Sequence, residues 1–125
     1  DGPSLILAYS HCIAHGFDLR YGLQQQNLAA ASGYWPLFRY NPAMRQVGEN
    51  PFRLDSPRPT IPLKDFAYNE LRYRALALTQ PAVAGELLRQ AQAGVDEKYR
   101  SYEAYARLEG GPAPAQATTA TPHKA

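Results

Sequence analysis

The chain predicts an α/β fold, a parallel-sheet strand followed by helices, and three observations carry that expectation. Leu5-Ile6-Leu7-Ala8 is a short continuous apolar run set off by Gly2-Pro3, the form of a strand covered on both faces, although a run this short also suits a buried helix. From Leu19 to Ser32 the spacing turns helical, and from Leu63 apolar residues recur at steps of three or four almost to Leu108. One strand is not a sheet. Together with a start at Asp1, this leads us to expect a carboxyl-terminal piece of something longer.

The elements follow in order. After Tyr9 the apolar run gives way to Ser10-His11-Cys12-Ile13-Ala14-His15-Gly16, which holds the only cysteine and two of the three histidines. In open α/β sheets ligands collect at the carboxyl ends of strands, so Cys12 is expected on such a rim. Asp18 is placed to cap a helix over Leu19–Ser32 and Gly33 to end it, while Gly22 weakens its first turn by about 1 kcal/mol relative to alanine. Tyr34–Tyr40 is aromatic and strand-like, but Pro36 confines it to an edge. Prolines 42, 51, 57, 59 and 62 make residues 41–62 an arm expected to run over a larger body, with Phe52–Asp55 a short extended pairing.

Two helices are predicted next. The first spans Leu63 to Leu78 with Leu63, Ala67, Leu71, Ala75 and Leu78 on its buried stripe. The second begins at Pro81, with Thr79 the capping candidate, and its stripe runs Val83, Leu87, Ala91, Val95, Tyr99, Tyr102, Ala106. The Gly/Pro/Ala/Thr tail from residue 109 lacks apolar surface to offset the entropy of ordering, so disorder is expected.

Composition excludes several functions. Thirteen basic and 11 acidic side chains are mixed along the chain, giving +2 with no basic block of the kind that tracks nucleic acid or anionic lipid. No apolar run approaches a membrane span, and a lone cysteine forms no internal disulfide, so a reducing cytoplasm is the expected location. Walker A, GxGxxG and GxSxG patterns do not occur.

Cys12 has four candidate roles. Composition alone favours a small buried core residue. A thiolate ligand to an iron–sulfur cluster or zinc comes next, given the loop rim. The His11-Cys12-x-x-His15 spacing suggests zinc, but neighbouring residues and a three-residue step do not guarantee convergence on one ion. A nucleophile with His11 or His15 as base is the fourth, without a nameable orienting acid or oxyanion donor. The Gln24-Gln25-Gln26 run reads as a solvated helical face, and the tyrosines at 68, 73, 99, 102 and 105 as packing groups.

Several stretches closely resemble the carboxyl-terminal end of the pyruvate:ferredoxin (flavodoxin) oxidoreductase family: Gly2–Ile6, Ala8–Gly16, Ser32–Pro42, Asn50–Ser56 and Glu70–Tyr73, in matching order and over about residues 1–108. The resemblance implies that residues 1–40 close a thiamine-diphosphate-binding domain, followed by the arm at 41–62, a two-helix segment at 63–108 and a tail at 109–125. It also implies that Cys12 is the last of four thiolate ligands to the [4Fe-4S] cluster nearest thiamine. The family's other three cysteines and its Gly-Asp-Gly motif for magnesium and diphosphate are absent from this chain. The implied reaction is oxidative decarboxylation of pyruvate with coenzyme A, in a homodimer that passes electrons to ferredoxin or flavodoxin. The implied uses of His11 and His15 are hydrogen bonding near the thiolate or loop packing. A subunit-docking module with Cys12 buried and unligated is the rival reading.

Overall fold

The computed structural model describes residues 2–109, so the expected tail lies almost wholly outside the described residues. Helices dominate: α1 (Gly22–Ala31), α2 (Leu63–Ala67), α3 (Leu71–Thr79) and α4 (Pro81–Ala106). The single sheet is a two-stranded antiparallel ribbon of β1 (Phe38–Tyr40) and β2 (Phe52–Leu54), with Arg39 opposite Arg53. Among the described residues no helix is long and apolar enough to cross a membrane.

The parallel strand expected at residues 5–8 does not form. Leu5, Ile6 and Leu7 are 83%, 88% and 69% exposed, and among the described residues no backbone–backbone hydrogen bond ties residues 2–11 to the rest. A strand is held by ladder partners, and this chain offers none here. Among the described residues the fold is therefore helical with a small two-stranded antiparallel ribbon, and no parallel sheet is present.

The first helix forms much as its residues dictate. Asp18 accepts from the Arg20 amide at 3.0 Å and opens a 3-10 turn at Leu19–Tyr21, which becomes α1 at Gly22. Gly33 ends α1 in the left-handed region at φ 74°. A Cβ there would stand 2.7 Å from Pro59 Cγ and 3.1 Å from Val95 Cγ1, so this glycine lets the arm and α4 close over the helix end.

The edge strand and its short pairing are both present as β1 and β2. The arm, however, folds onto this chain's own helices. Tyr99 donates its hydroxyl to Ser56 O at 3.0 Å, Asn50 Nδ2 reaches Tyr105 O at 2.8 Å, and the Thr60 amide donates to Ala31 O at 2.9 Å.

The helix predicted over residues 63–78 is broken into α2 and α3. Asn69 spends its side-chain amide on Asp65 O at 2.9 Å, a local competitor of the helix ladder, and Glu70 takes extended angles (φ −101°, ψ 133°) that turn its carboxylate inward. The break resets the helical phase. Leu63, Phe66 and Ala67 are buried, but in α3 the inward residues are Tyr73, Leu76 and Ala77, while Leu71 and Leu78 are 50% and 81% exposed.

Helix α4 starts at Pro81 as expected, but Gln80 occupies the cap position and the Thr79 hydroxyl instead donates back to Ala75 O at 2.9 Å. Its carboxyl half keeps the predicted stripe at Val95 and Tyr99, whereas nearer the start Ala84 and Leu88 face inward and Val83, Leu87 and Ala91 do not. The core gathers Ala29, Leu63, Phe66, Ala67 and Val95, roofed by Tyr34, whose ring centroid lies 4.6 Å from that of Phe66.

Candidate functional site

The loop from Tyr9 to Gly16 is pinned at three side chains and presents the residues between them. The Tyr9 ring sits 5.7 Å from Trp35 and 6.4 Å from Phe66, edge-on to the latter. Its hydroxyl is buried without a hydrogen-bond partner among the described residues, and burial, with the Glu70 carboxylate nearby, pushes its pKa up to about 12. The second pin is His11, edge-on to Phe17 at 5.6 Å and lying over Gly22. A Cβ on Gly22 would stand 2.4 Å from His11 Nε2, so the glycine that weakens the first turn of α1 also makes room for the imidazole.

His15 is the third pin. It closes a single 3-10 turn, Ile13–His15, with its amide donating to Cys12 O at 2.9 Å, and its Nδ1 lies 3.7 Å from Glu70 Oε1. Gly16 then turns in the left-handed region (φ 71°), and its carbonyl accepts from the Leu71 amide at 2.9 Å. Cys12 itself is extended (φ −135°, ψ 145°) and exposed.

These positions bear on the four roles. Among the described residues Cys12 is exposed, while the flanking Tyr9, His11 and His15 turn inward. His11 packs edge-on against Phe17 and His15 lies toward Glu70, the Nδ1 of each buried without a hydrogen-bond partner among the described residues. Among the described residues no group of three or more His, Cys, Asp and Glu side chains converges to hold a metal ion. What remains is one accessible sulfur on a braced loop.

A buried polar network supports that loop, and the sequence reading missed its centre. Gln25, expected on a solvated face, is 2% exposed, and its Nε2 donates to Phe66 O at 3.1 Å and Glu70 Oε1 at 3.0 Å. Glu70 is wholly buried and also accepts from Arg72 Nε at 2.5 Å. Arg72 stacks over the Tyr73 ring at 4.7 Å and, although partly desolvated, is held protonated more firmly by Glu70. Satisfying a buried carboxylate in this way avoids the several kcal/mol that an unpaired charge would cost, on the order of 3–5 kcal/mol. The one sequence cue was Asn69-Glu70 interrupting an apolar period.

No family model matches the chain. It is 47% identical over 103 residues to the pyruvate-flavodoxin oxidoreductase of Nostoc sp., a match covering 82% of this chain and 9% of that protein. It is 46% identical over 100 residues to the pyruvate-flavodoxin oxidoreductase of Rhodospirillum rubrum, covering 79% of the chain and 8% of the relative. The pyruvate:ferredoxin oxidoreductase of Moorella thermoacetica is 43% identical over 103 residues, covering 82% and 9% respectively. The chain thus spans about a tenth of the length of these curated relatives.

Proposed function

The chain belongs to the pyruvate-flavodoxin and pyruvate:ferredoxin oxidoreductase family, as a segment of that enzyme, and from this premise we propose that Cys12 is one of four thiolate ligands to a [4Fe-4S] cluster. The observation that carries the reading is the presentation of Cys12: an exposed thiol on a loop held from behind at Tyr9, His11 and His15. The donor fits a cluster in kind, since thiolates hold iron–sulfur centres, while one sulfur is a quarter of the required set. The other three are proposed to come from elsewhere in the enzyme. We assign no residue of this chain to thiamine diphosphate or magnesium.

When bound, a cluster supplies one-electron acceptance, which the electron-rich intermediate of a thiamine-dependent pyruvate decarboxylation requires and an acid–base side chain cannot offer. The chain's residues orient the thiolate and keep both imidazoles out of the ligand set. In the whole enzyme the proposed reaction is oxidation of pyruvate to acetyl-CoA and CO₂, with ferredoxin or flavodoxin receiving the electrons. The exposed Leu5–Leu7 ribbon fits the same reading: apolar on both faces and without ladder partners here, it suits an inner strand of a sheet completed by the remaining nine-tenths of the protein.

The test is Cys12→Ala in the full-length, anaerobically purified enzyme. The expected result is loss of one cluster's signal in the reduced-state EPR spectrum and of most pyruvate oxidation, with the other clusters intact. Unchanged spectra and iron content would refute the assignment.

A further inference from the structure

We propose that Glu70 is a positioning residue for the Cys12 thiolate, a buried brace that sets where the sulfur stands although it lies in a distant part of the sequence; this rests on the ligand reading of Cys12 and deepens it. The carboxylate has no solvent exposure and meets three separate segments: Gln25 of α1 at 3.0 Å, Arg72 of α3 at 2.5 Å, and His15 of the loop at 3.7 Å. Its neighbour Leu71 grips the same loop through the backbone, donating to Gly16 O at 2.9 Å. The Leu71 Cβ fills the space a side chain at position 16 would need, 2.6 Å from the ideal Cβ position.

These contacts close a mechanical circuit. Downstream of Cys12, its carbonyl accepts from the His15 amide and the Gly16 carbonyl accepts from the Leu71 amide, while the His15 ring lies beside Glu70 without a hydrogen bond, Nδ1 to Oε1 being 3.7 Å. Upstream, His11 rests on Gly22 and Phe17. Gln25, one turn along α1 from Gly22, bonds Glu70 and ties the two anchorages together. The break between α2 and α3 also gains a reason: a continuous helix would not give Glu70 the extended angles it has here, nor Leu71 its free amide. Thiolate–metal bonds tolerate placement errors of only about 0.2 Å, so a loop braced at both ends is the kind of support a ligating sulfur needs.

The experiment uses the full-length enzyme with Glu70→Gln, an isosteric change that removes the charge facing Arg72 and His15. Gly16→Ala attacks the brace from the loop side, and Glu86→Gln, a surface change, is the control. Iron release to a chelator and the midpoint potential of each cluster are measured by EPR-monitored titration. Disturbing a direct outer partner of a metal ligand typically costs about 10–100-fold in affinity, and Glu70 acts one step further out, so iron release from one cluster should accelerate by a smaller factor, about severalfold, with its potential shifted and the others unmoved. The cluster affected should be the one that Cys12→Ala removes. If Cys12→Ala removes a cluster while Glu70→Gln and Gly16→Ala leave its release rate and potential at control values, the brace is overturned and the ligand reading stands. Should Cys12→Ala leave every cluster in place, the ligand reading itself fails. If Glu70→Gln does not yield folded enzyme, Gly16→Ala decides by the same readouts.

Discussion

Leu5-Ile6-Leu7 and the inner residues of α2 are similarly apolar, yet the first are 69–88% exposed and Leu63, Phe66 and Ala67 are 5%, 0% and 5% exposed. The difference is partnership. Helix α2 lies on α1 and α4, and side chains meet its end groups, Gln92 Oε1 accepting from the Leu63 amide at 2.7 Å and Gln25 donating to Phe66 O at 3.1 Å. An extended segment leaves every amide and carbonyl unpaired until a neighbouring strand arrives, and among residues 2–109 none pairs with it. Apolar content says that a segment wants covering, and element type decides whether this chain can cover it.

The comparison is most easily broken at its buried pole. Phe66→Ala should destabilise the 125-residue chain by about 3–5 kcal/mol in urea unfolding, the usual cost of emptying a large aromatic site. Ile6→Ala should fall within about 0.5 kcal/mol of the parent there, as expected for an exposed position. In the full-length enzyme the same Ile6→Ala should rise to about 2–5 kcal/mol if the ribbon is covered. Equal and negligible effects in both settings would show that the ribbon stays bare.

A smaller effect is expected where two elements meet at Gly33. Gly33→Ala must push against Pro59 and Val95 from a left-handed backbone, and overpacking of this kind costs about 1–3 kcal/mol, visible as a lower unfolding midpoint with unchanged slope.

Alkaline pH separates the loop's anchored face from its open one. The buried Tyr9 phenol keeps its proton in the folded chain up to about pH 12, whereas the unfolded chain releases it near the ordinary value of 10. Its contribution is therefore fully present below pH 10 and is lost as pH rises through about 12. Lys98, whose pKa burial lowers, acts in the opposite sense: its charged form burdens the fold at neutral pH, and that burden is relieved as pH rises toward its ordinary range. Tyr9→Phe should flatten the decline in stability above pH 10; an unaltered profile would place the phenol in water.

The smallest change is expected from the exposed Arg58–Glu103 pair, 2.7 Å apart on the arm and α4. Arg58→Ala should barely move the melting temperature, and salt should erase what difference there is.

Much of the helical part was legible from residues alone, because its signals are local. Asp18 and Gly33 bracket α1, Pro81 opens α4, and Pro36 keeps the Tyr34–Tyr40 stretch at an edge. The failures are tertiary. The break at Asn69-Glu70 depends on a carboxylate finding Gln25 across the core, and a polar residue inside an amphipathic period is as readily taken for solvent-facing. For the same reason Gln25 passed as one of three solvated glutamines. The Cys12 loop could be located, since an apolar run ending in His-Cys-x-x-His is a sharp change of character, but no spacing rule says that both imidazoles turn inward and the sulfur outward. That choice depends on Phe17, Gly22 and Glu70, which packing brings to the loop.

The tether between Gly16 and Leu71 bypasses the hairpin that lies between them in sequence. Gly48, at the far end of the Pro42–Val47 turn, has nothing within 4 Å of where a side chain would project. The placement of the sulfur is thus expected to be insensitive to the length of that tip. An epitope or fluorophore spliced into the same place is expected to report on the segment without touching residue 12.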